Sequence, residues 1–152
     1  MQVQPYLFFD GRCEEALAFY QTAIGAEITA MMRFSENPDP QPNGCGDNPM
    51  AAVQRDKIMH ASFKLGETEV MASDGMASGK PEFKGISLSL SPPGEAEGKR
   101  LFEALAEGGQ VQAPLTKTFF SPCFGMVADR FGVSWMIVVP GDMPSQAGQP
   151  AQ

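Results

Sequence analysis

One segment of the chain answers another at a fixed distance. Phe19-Tyr20-Gln21-Thr22-Ala23-Ile24-Gly25-Ala26-Glu27-Ile28 is echoed by Phe102-Glu103-Ala104-Leu105-Ala106-Glu107-Gly108-Gly109-Gln110-Val111, and 102 − 19 = 108 − 25 = 111 − 28 = 83. In each copy an apolar helix stops at a glycine and a strand-like segment follows at once. A repeat over about half the chain implies two structural units in one compact domain.

The periodicities around each copy extend that reading. Val3 to Phe9 is apolar and aromatic and ends at the turn signal Asp10-Gly11, which predicts a first strand. Ala16, Leu17, Phe19, Tyr20, Ala23 and Ile24 recur at helical spacing, so Cys13 to Ile24 reads as a helix. Glu14 and Glu15 suit the positive end of its dipole, and Gly25 suits a left-handed cap. Glu27 to Phe34 reads as strand two. Lys57 to Leu65 and Thr68 to Ser73 read as a hairpin about Gly66-Glu67; Ile58, His60, Ser62 and Lys64 fall on one face of its first strand. Residues 74–84 form a Gly/Ser/Lys linker. The second unit then reads as a strand over Gly85 to Leu90, a helix over Glu95 to Glu107, and strands over Gln110 to Pro114, Gly125 to Ala128 and Ser134 to Val139. The result is α+β: two βαβββ modules, about 1–75 and 83–140, in one domain over 1–140, with a Pro/Gly/Gln tail over 141–152.

Between strands two and three, Ser35 to Arg55 carries four prolines, two glycines and three asparagines. A connection that long reads either as a lid or binding loop or as a solvated excursion.

Bulk properties exclude several function classes. A net charge of −7 opposes a nucleic-acid partner, which needs a basic face. No run approaches the roughly 20 apolar residues that cross a bilayer, so no membrane partner is expected. The start Met1-Gln2-Val3-Gln4-Pro5 lacks a basic leader, and the three cysteines, Cys13, Cys45 and Cys123, show no metal or redox spacing. Both features fit a reducing cytoplasm. Ten methionines and eleven phenylalanines fit either a Met-rich core or a plastic apolar cavity.

Several stretches together resemble the vicinal oxygen chelate (glyoxalase/bleomycin-resistance/dioxygenase) superfamily, and within it the PhnB-like branch, often labelled 3-demethylubiquinone 3-methyltransferase-like. They are Pro5-Tyr6-Leu7-Phe8-Phe9-Asp10-Gly11, Glu14-Glu15-Ala16-Leu17-Ala18-Phe19-Tyr20, Lys57-Ile58-Met59-His60-Ala61, Met71-Ala72-Ser73-Asp74 and the run from Phe124 to Met136. The resemblance implies two βαβββ modules forming a curved sheet around a cup, and a homodimer. Metal-dependent members hold a divalent ion with His, Gln or Glu from four strands, where it acts as a Lewis acid. Carried over residue by residue, those positions fall at Gln4 or Pro5, at Met71 or Ser73, at Ser87, and at Met136, where the family pattern has a glutamate. A thioether does not replace a carboxylate for a hard ion, so no metal is expected. There is no glycine-rich turn after a first strand, so no S-adenosylmethionine or nucleotide-like cofactor is expected. Gly75 to Pro81 fails as a phosphate loop because Pro81 stands where Ser or Thr is required.

The cup on this reading is lined by Gln4, Tyr6, Phe8, Met31, Met71, Ser87, Phe119, Phe120 and Met136, and suits an apolar or mixed small molecule. His60, the only histidine, reads either as a structural hydrogen-bonded residue or, beside Asp74, as a general base. Asp74 and Asp129 also fit plain turn caps. Three functions stay open: a metal-free small-molecule binder, a superfamily enzyme using His60, Asp74 and Gln4, and an interaction module acting through the Pro-rich Asn37 to Asn48 loop.

Overall fold

The structure is a computed structural model that describes residues 1–36, 55–75 and 80–141. The Asn37 to Asn48 loop, the centre of the linker and the tail beyond Gly141 lie outside the described residues. The chain divides into two compact units, Met1–Glu82 and Phe83–Gln152. The first contains β1 (Tyr6–Phe8), α1 (Cys13–Ile24), β2 (Glu27–Arg33), a 3-10 turn (Phe34–Glu36), β3 (Ile58–Leu65) and β4 (Thr68–Ser73). The second contains β5 (Leu88–Leu90), α2 (Glu95–Ala106), β6 (Gln110–Thr116), β7 (Phe124–Ala128) and β8 (Ser134–Val138).

The two units share one topology. The sheets run β1-β4-β3-β2 and β5-β8-β7-β6. In each, the first strand pairs parallel with the last, and the other pairs are antiparallel. The fold is α+β, built from two βαβββ modules.

Each first strand is shorter than its apolar pattern suggests. Pro5 has no N–H to donate, though its carbonyl accepts from Met71 N–H at 3.0 Å, so the ladder opens only at Tyr6. Gly85 sits at φ 77, a left-handed conformation that interrupts an extended strand, so β5 begins at Leu88 rather than at Gly85.

In the first module, α1 buries Ala16, Leu17, Tyr20, Ala23 and Ile24 against one sheet face. Tyr20 lies 5.7 Å from the Phe63 ring and 6.1 Å from the Phe9 ring, centroid to centroid. All three side chains are fully buried, which stabilises by about 2–3 kcal/mol for each ring. In the second module, Gly98 lets α2 approach β8. A Cβ there would sit 2.8 Å from Val139 Cγ2. The glycines that follow the two helices, Gly25 and Gly108, have φ 72 and 77, as the repeat predicts.

Each module is stitched by a buried aspartate of its own. Asp74 Oδ1 accepts from Gly11 N–H (3.0 Å) and Cys13 N–H (2.7 Å), and Oδ2 accepts from Ile58 N–H (2.6 Å). Asp74 thus caps the first turn of α1 from the end of β4, where its charge also suits the helix dipole. Asp129 Oδ1 accepts from Phe131 and Val133 N–H, and Oδ2 accepts from Trp135 Nε1–H at 2.9 Å.

A bulge also recurs. The β2–β3 register shifts between Ile28 and Ala30, and the β6–β7 register shifts between Val111 and Ala113. These positions differ by the same 83 residues as the sequence repeat (111 − 28 = 113 − 30 = 83). One extra residue on the bulged strand reverses which face every later side chain takes.

Candidate functional site

The sheet face of the first module that α1 leaves uncovered is built from alternate residues of three strands. Phe63 and Phe9 mark the helix-facing side by their contacts with Tyr20. The in-register row Leu7, Ala72 and Ala61 belongs to that side. The alternate row, Tyr6–Met71–Ser62, therefore takes the open side, with Phe8, Ser73 and His60 beside it.

On this open face three rings follow one another. Tyr6 and Phe8 stack with centroids 5.0 Å apart and planes inclined by 28°. The Tyr6 and His60 rings lie 5.7 Å apart, and Tyr6 Oη is 3.0 Å from His60 Nδ1. Phe8 is 56% exposed and Tyr6 38%, so these aromatics are available to a ligand rather than spent on the core. Burial nevertheless pushes the Tyr6 phenol above its ordinary pKa, outweighing the lowering by the Ser73 hydroxyl. Toward the other end of the face, Gln4 Nε2 donates to Glu69 Oε2 at 3.1 Å, and the Thr29 and Ser62 hydroxyls lie 2.8 Å apart. A depression of about 490 Å³ opens beside Phe8, edged by Asp10, Asp74, Gly75, Lys80 and Glu82.

Two expected residues fall elsewhere. Met31 pairs with Ala61 on the helix-facing row, and Met32 takes the open face opposite His60. Simple alternation from Ile28 points Met31 to the open side; the bulge at Thr29 reverses it. Asp74 does not serve His60. Its carboxylate is 1% exposed and committed to three backbone N–H groups, while the side-chain partner of His60 is Tyr6.

The remaining candidates belong to the second module, on its own helix-free face or its loop. Met136 pairs with Met126 and Ser89. The Ser87 hydroxyl lies 3.1 Å from that of Ser134, which donates to Gln112 Oε1 at 2.9 Å. Ser87, Gln112, Met126 and Ser134 line a depression of about 510 Å³ with Lys84 and Ile86 at its edge. Phe119 and Phe120 lie in the turn between β6 and β7. Phe120 packs edge-on against Phe124 at 5.2 Å, and Phe119 is 90% exposed. Glu69, Gln112 and Ser134 escaped the sequence reading because polar strand residues carry no signal until their cross-strand partners are known.

The donor set does not fit a hard divalent ion. The register places Met71 beside Tyr6 and Met136 beside Ser89, so the corresponding pair in each module supplies a thioether and a hydroxyl. Gln4, the one amide at an expected ligand position, donates from Nε2 to Glu69, and its single amide oxygen does not make up a ligand set for a hard ion. Among the described residues no three His, Cys, Asp or Glu side chains converge.

The family model described as 3-demethylubiquinone-9 3-methyltransferase matches residues 1–138. The chain belongs to this family. It is the PhnB-like family, and its fold is glyoxalase-like. The chain is similar to Protein YjdN of Escherichia coli K12, with 37% identity over 96% of this chain and 100% of that one. Protein PA1353 from Pseudomonas aeruginosa shares 43% identity with a TM-score of 0.77, over 93% of this chain and 99% of that one. A Bacillus cereus PhnB protein, titled a putative 3-demethylubiquinone-9 3-methyltransferase, shares 28% identity with a TM-score of 0.71, over 91% and 99%. The fold alone is shared with a glyoxalase-related enzyme from Fulvimarina pelagi, at 18% identity and a TM-score of 0.56, over 91% and 88%. Membership therefore fixes the scaffold, and the chemistry must be argued from the family member's own residues.

Proposed function

We propose that this PhnB-like protein binds a small apolar or mixed molecule without a metal, on the helix-free face of its first sheet. The observation that carries the reading is the exposed Phe8–Tyr6 stack joined to His60. Soluble proteins seldom leave two stacked rings on a sheet face without a use for them. Met32 and Met71 flank the rings with adaptable apolar surface. The neighbouring 490 Å³ depression is of a size that takes a small molecule. Met136, and Met71 or Ser73, at the positions where the resemblance implies metal ligands, favour a site that works by packing and hydrogen bonds.

Calorimetric titration with Ni²⁺, Mn²⁺ and Zn²⁺ tests the metal-free part. No stoichiometric site tighter than about 10 µM is expected; one that disappears in Gln4→Ala would overturn it. A fragment screen read by amide shifts tests the binding part: hits should cluster at Tyr6, Phe8, His60 and Met71. Hits confined to other surfaces would remove it.

A catalytic reading rests on the same 3.0 Å Tyr6–His60 contact, which can move a proton. It loses its expected partner in Asp74, so binding is the better-supported conclusion. Within this proposal the protein is a homodimer in a reducing compartment. Light scattering that returns a monomer at tens of micromolar would remove the dimer. Among the described residues no helix is long and apolar enough to cross a membrane.

A further inference from the structure

The hydrogen bond between Tyr6 and His60 specifies more than a place to bind. Imidazole carries its two nitrogens on different edges of one ring, and in the neutral form one donates while the other accepts. The Tyr6 phenol keeps its proton at neutral pH, as a phenol of ordinary pKa about 10 does, and burial shifts it further in that direction. It can therefore donate to Nδ1, which leaves the proton of a neutral imidazole on Nε2. Among the described residues His60 makes one side-chain hydrogen bond, the one to Tyr6. Its Nε2–H is thus a donor still to be used, next to two stacked rings that both stay partly exposed.

We infer that this face selects planar, conjugated ligands that carry an oxygen acceptor: a ring stacks on the Phe8–Tyr6 pair while a carbonyl oxygen accepts from His60 Nε2–H. This deepens the proposed function and rests on it. The ring faces favour offset stacking at 4.5–7 Å, a range the Phe8–Tyr6 pair already occupies. A saturated ring has no such geometry to exploit. A ring without an acceptor leaves the imidazole donor facing a surface that cannot answer it.

His60 is the only histidine, so its two nitrogens can be followed in the ¹⁵N-labelled full chain without assignment ambiguity. Long-range ¹H–¹⁵N spectra at about pH 8 should show the Nε2–H tautomer in the free protein. Three probes separate the terms: acetophenone, cyclohexyl methyl ketone and ethylbenzene. Acetophenone should shift both the His60 Nε2 signal and the Tyr6 and Phe8 ring protons. Cyclohexyl methyl ketone should bind at least about tenfold more weakly, and ethylbenzene should shift the rings and leave Nε2 in place. Tyr6→Phe keeps the stack and releases Nδ1. It should mix the tautomers and weaken acetophenone about fivefold, the equivalent of one neutral hydrogen bond.

An Nδ1–H tautomer in the free protein overturns the inference. So does equal binding of the saturated ketone, which would leave the small-molecule reading standing. If no residue of the face responds to any of the three probes or to a broader fragment mixture, the binding reading falls as well.

Discussion

The two modules share a topology, a bulge position, a helix-ending glycine and a buried aspartate, and they differ on the face their helices leave open. In the first, the central row reads Tyr6–Met71–Ser62–Ala30. In the second it reads Ser89–Met136–Met126–Ala113. Both faces carry thioethers, small hydroxyls and a ring; the stacked Tyr6–Phe8 pair, the histidine and the Gln4–Glu69 pair belong to the first. The helix-facing rows behave differently. The cross-strand pair Phe63–Val70 of the first module corresponds to Val127–Trp135 in the second. An aromatic and a valine are kept, with their strands exchanged. A packed core constrains summed volume more than the identity at one position. An open face has no such constraint, so chemistry can diverge there while the scaffold stays.

The largest expected effects break the shared core. Trp135→Ala should cost about 4 kcal/mol and Phe63→Ala about 3 kcal/mol in urea unfolding, because each leaves a cavity. Trp135 costs more because Asp129 Oδ2 also loses its indole donor. Equal costs would show that the indole bond adds nothing to packing.

The aspartates come next. Asp74→Ala and Asp129→Ala should each destabilise by about 3 kcal/mol, since the first removes the acceptor of two buried donors and one part-buried donor and the second that of three buried donors, and Asp74→Asn by less. An Asp74→Ala protein as stable as the parent would end the parallel between the two stitches.

The smallest contrast is between thiols. Burial, then Asp74, then Glu14 push the Cys13 thiol up to about 12; burial, then Glu95, raise that of the half-exposed Cys123. In a Cys45→Ser background, Cys123 should react with iodoacetamide and Cys13 should stay unlabelled until the protein unfolds. The sign of the pH effect follows from linkage. A thiol whose folded pKa exceeds its unfolded value of 9.0 holds its proton longer in the native state. Its contribution to stability is whole below pH 9.0 and is lost as pH rises toward about 12. Cys13→Ala should flatten the alkaline decline of the urea midpoint. An unchanged slope would assign that decline to other groups.

Much of the scaffold was legible in one dimension. β4 and α1 match the periodicities residue for residue, and Gly25 and Gly108 stop their helices where the repeat places them. Those features are local: a helical stripe or a left-handed turn is decided within a few residues of chain. The site was legible only in part. Tyr6 and Phe8 announce themselves as exposed alternates of an aromatic strand. Met31 misleads, because a bulge looks like any other residue until the opposite strand is in register.

The amino-acid sequence by itself determined that there are two βαβββ modules and that their helices cover one sheet face. Only the tertiary structure decided that Met32 rather than Met31 joins the open face, that Asp74 ties three backbone segments instead of serving His60, and that Tyr6 is the partner of that histidine. The physical reason is range. Periodicity and turn chemistry act between near neighbours, whereas Tyr6 and His60 stand 54 residues apart and meet only because β4 pairs with β1 on one side and β3 on the other.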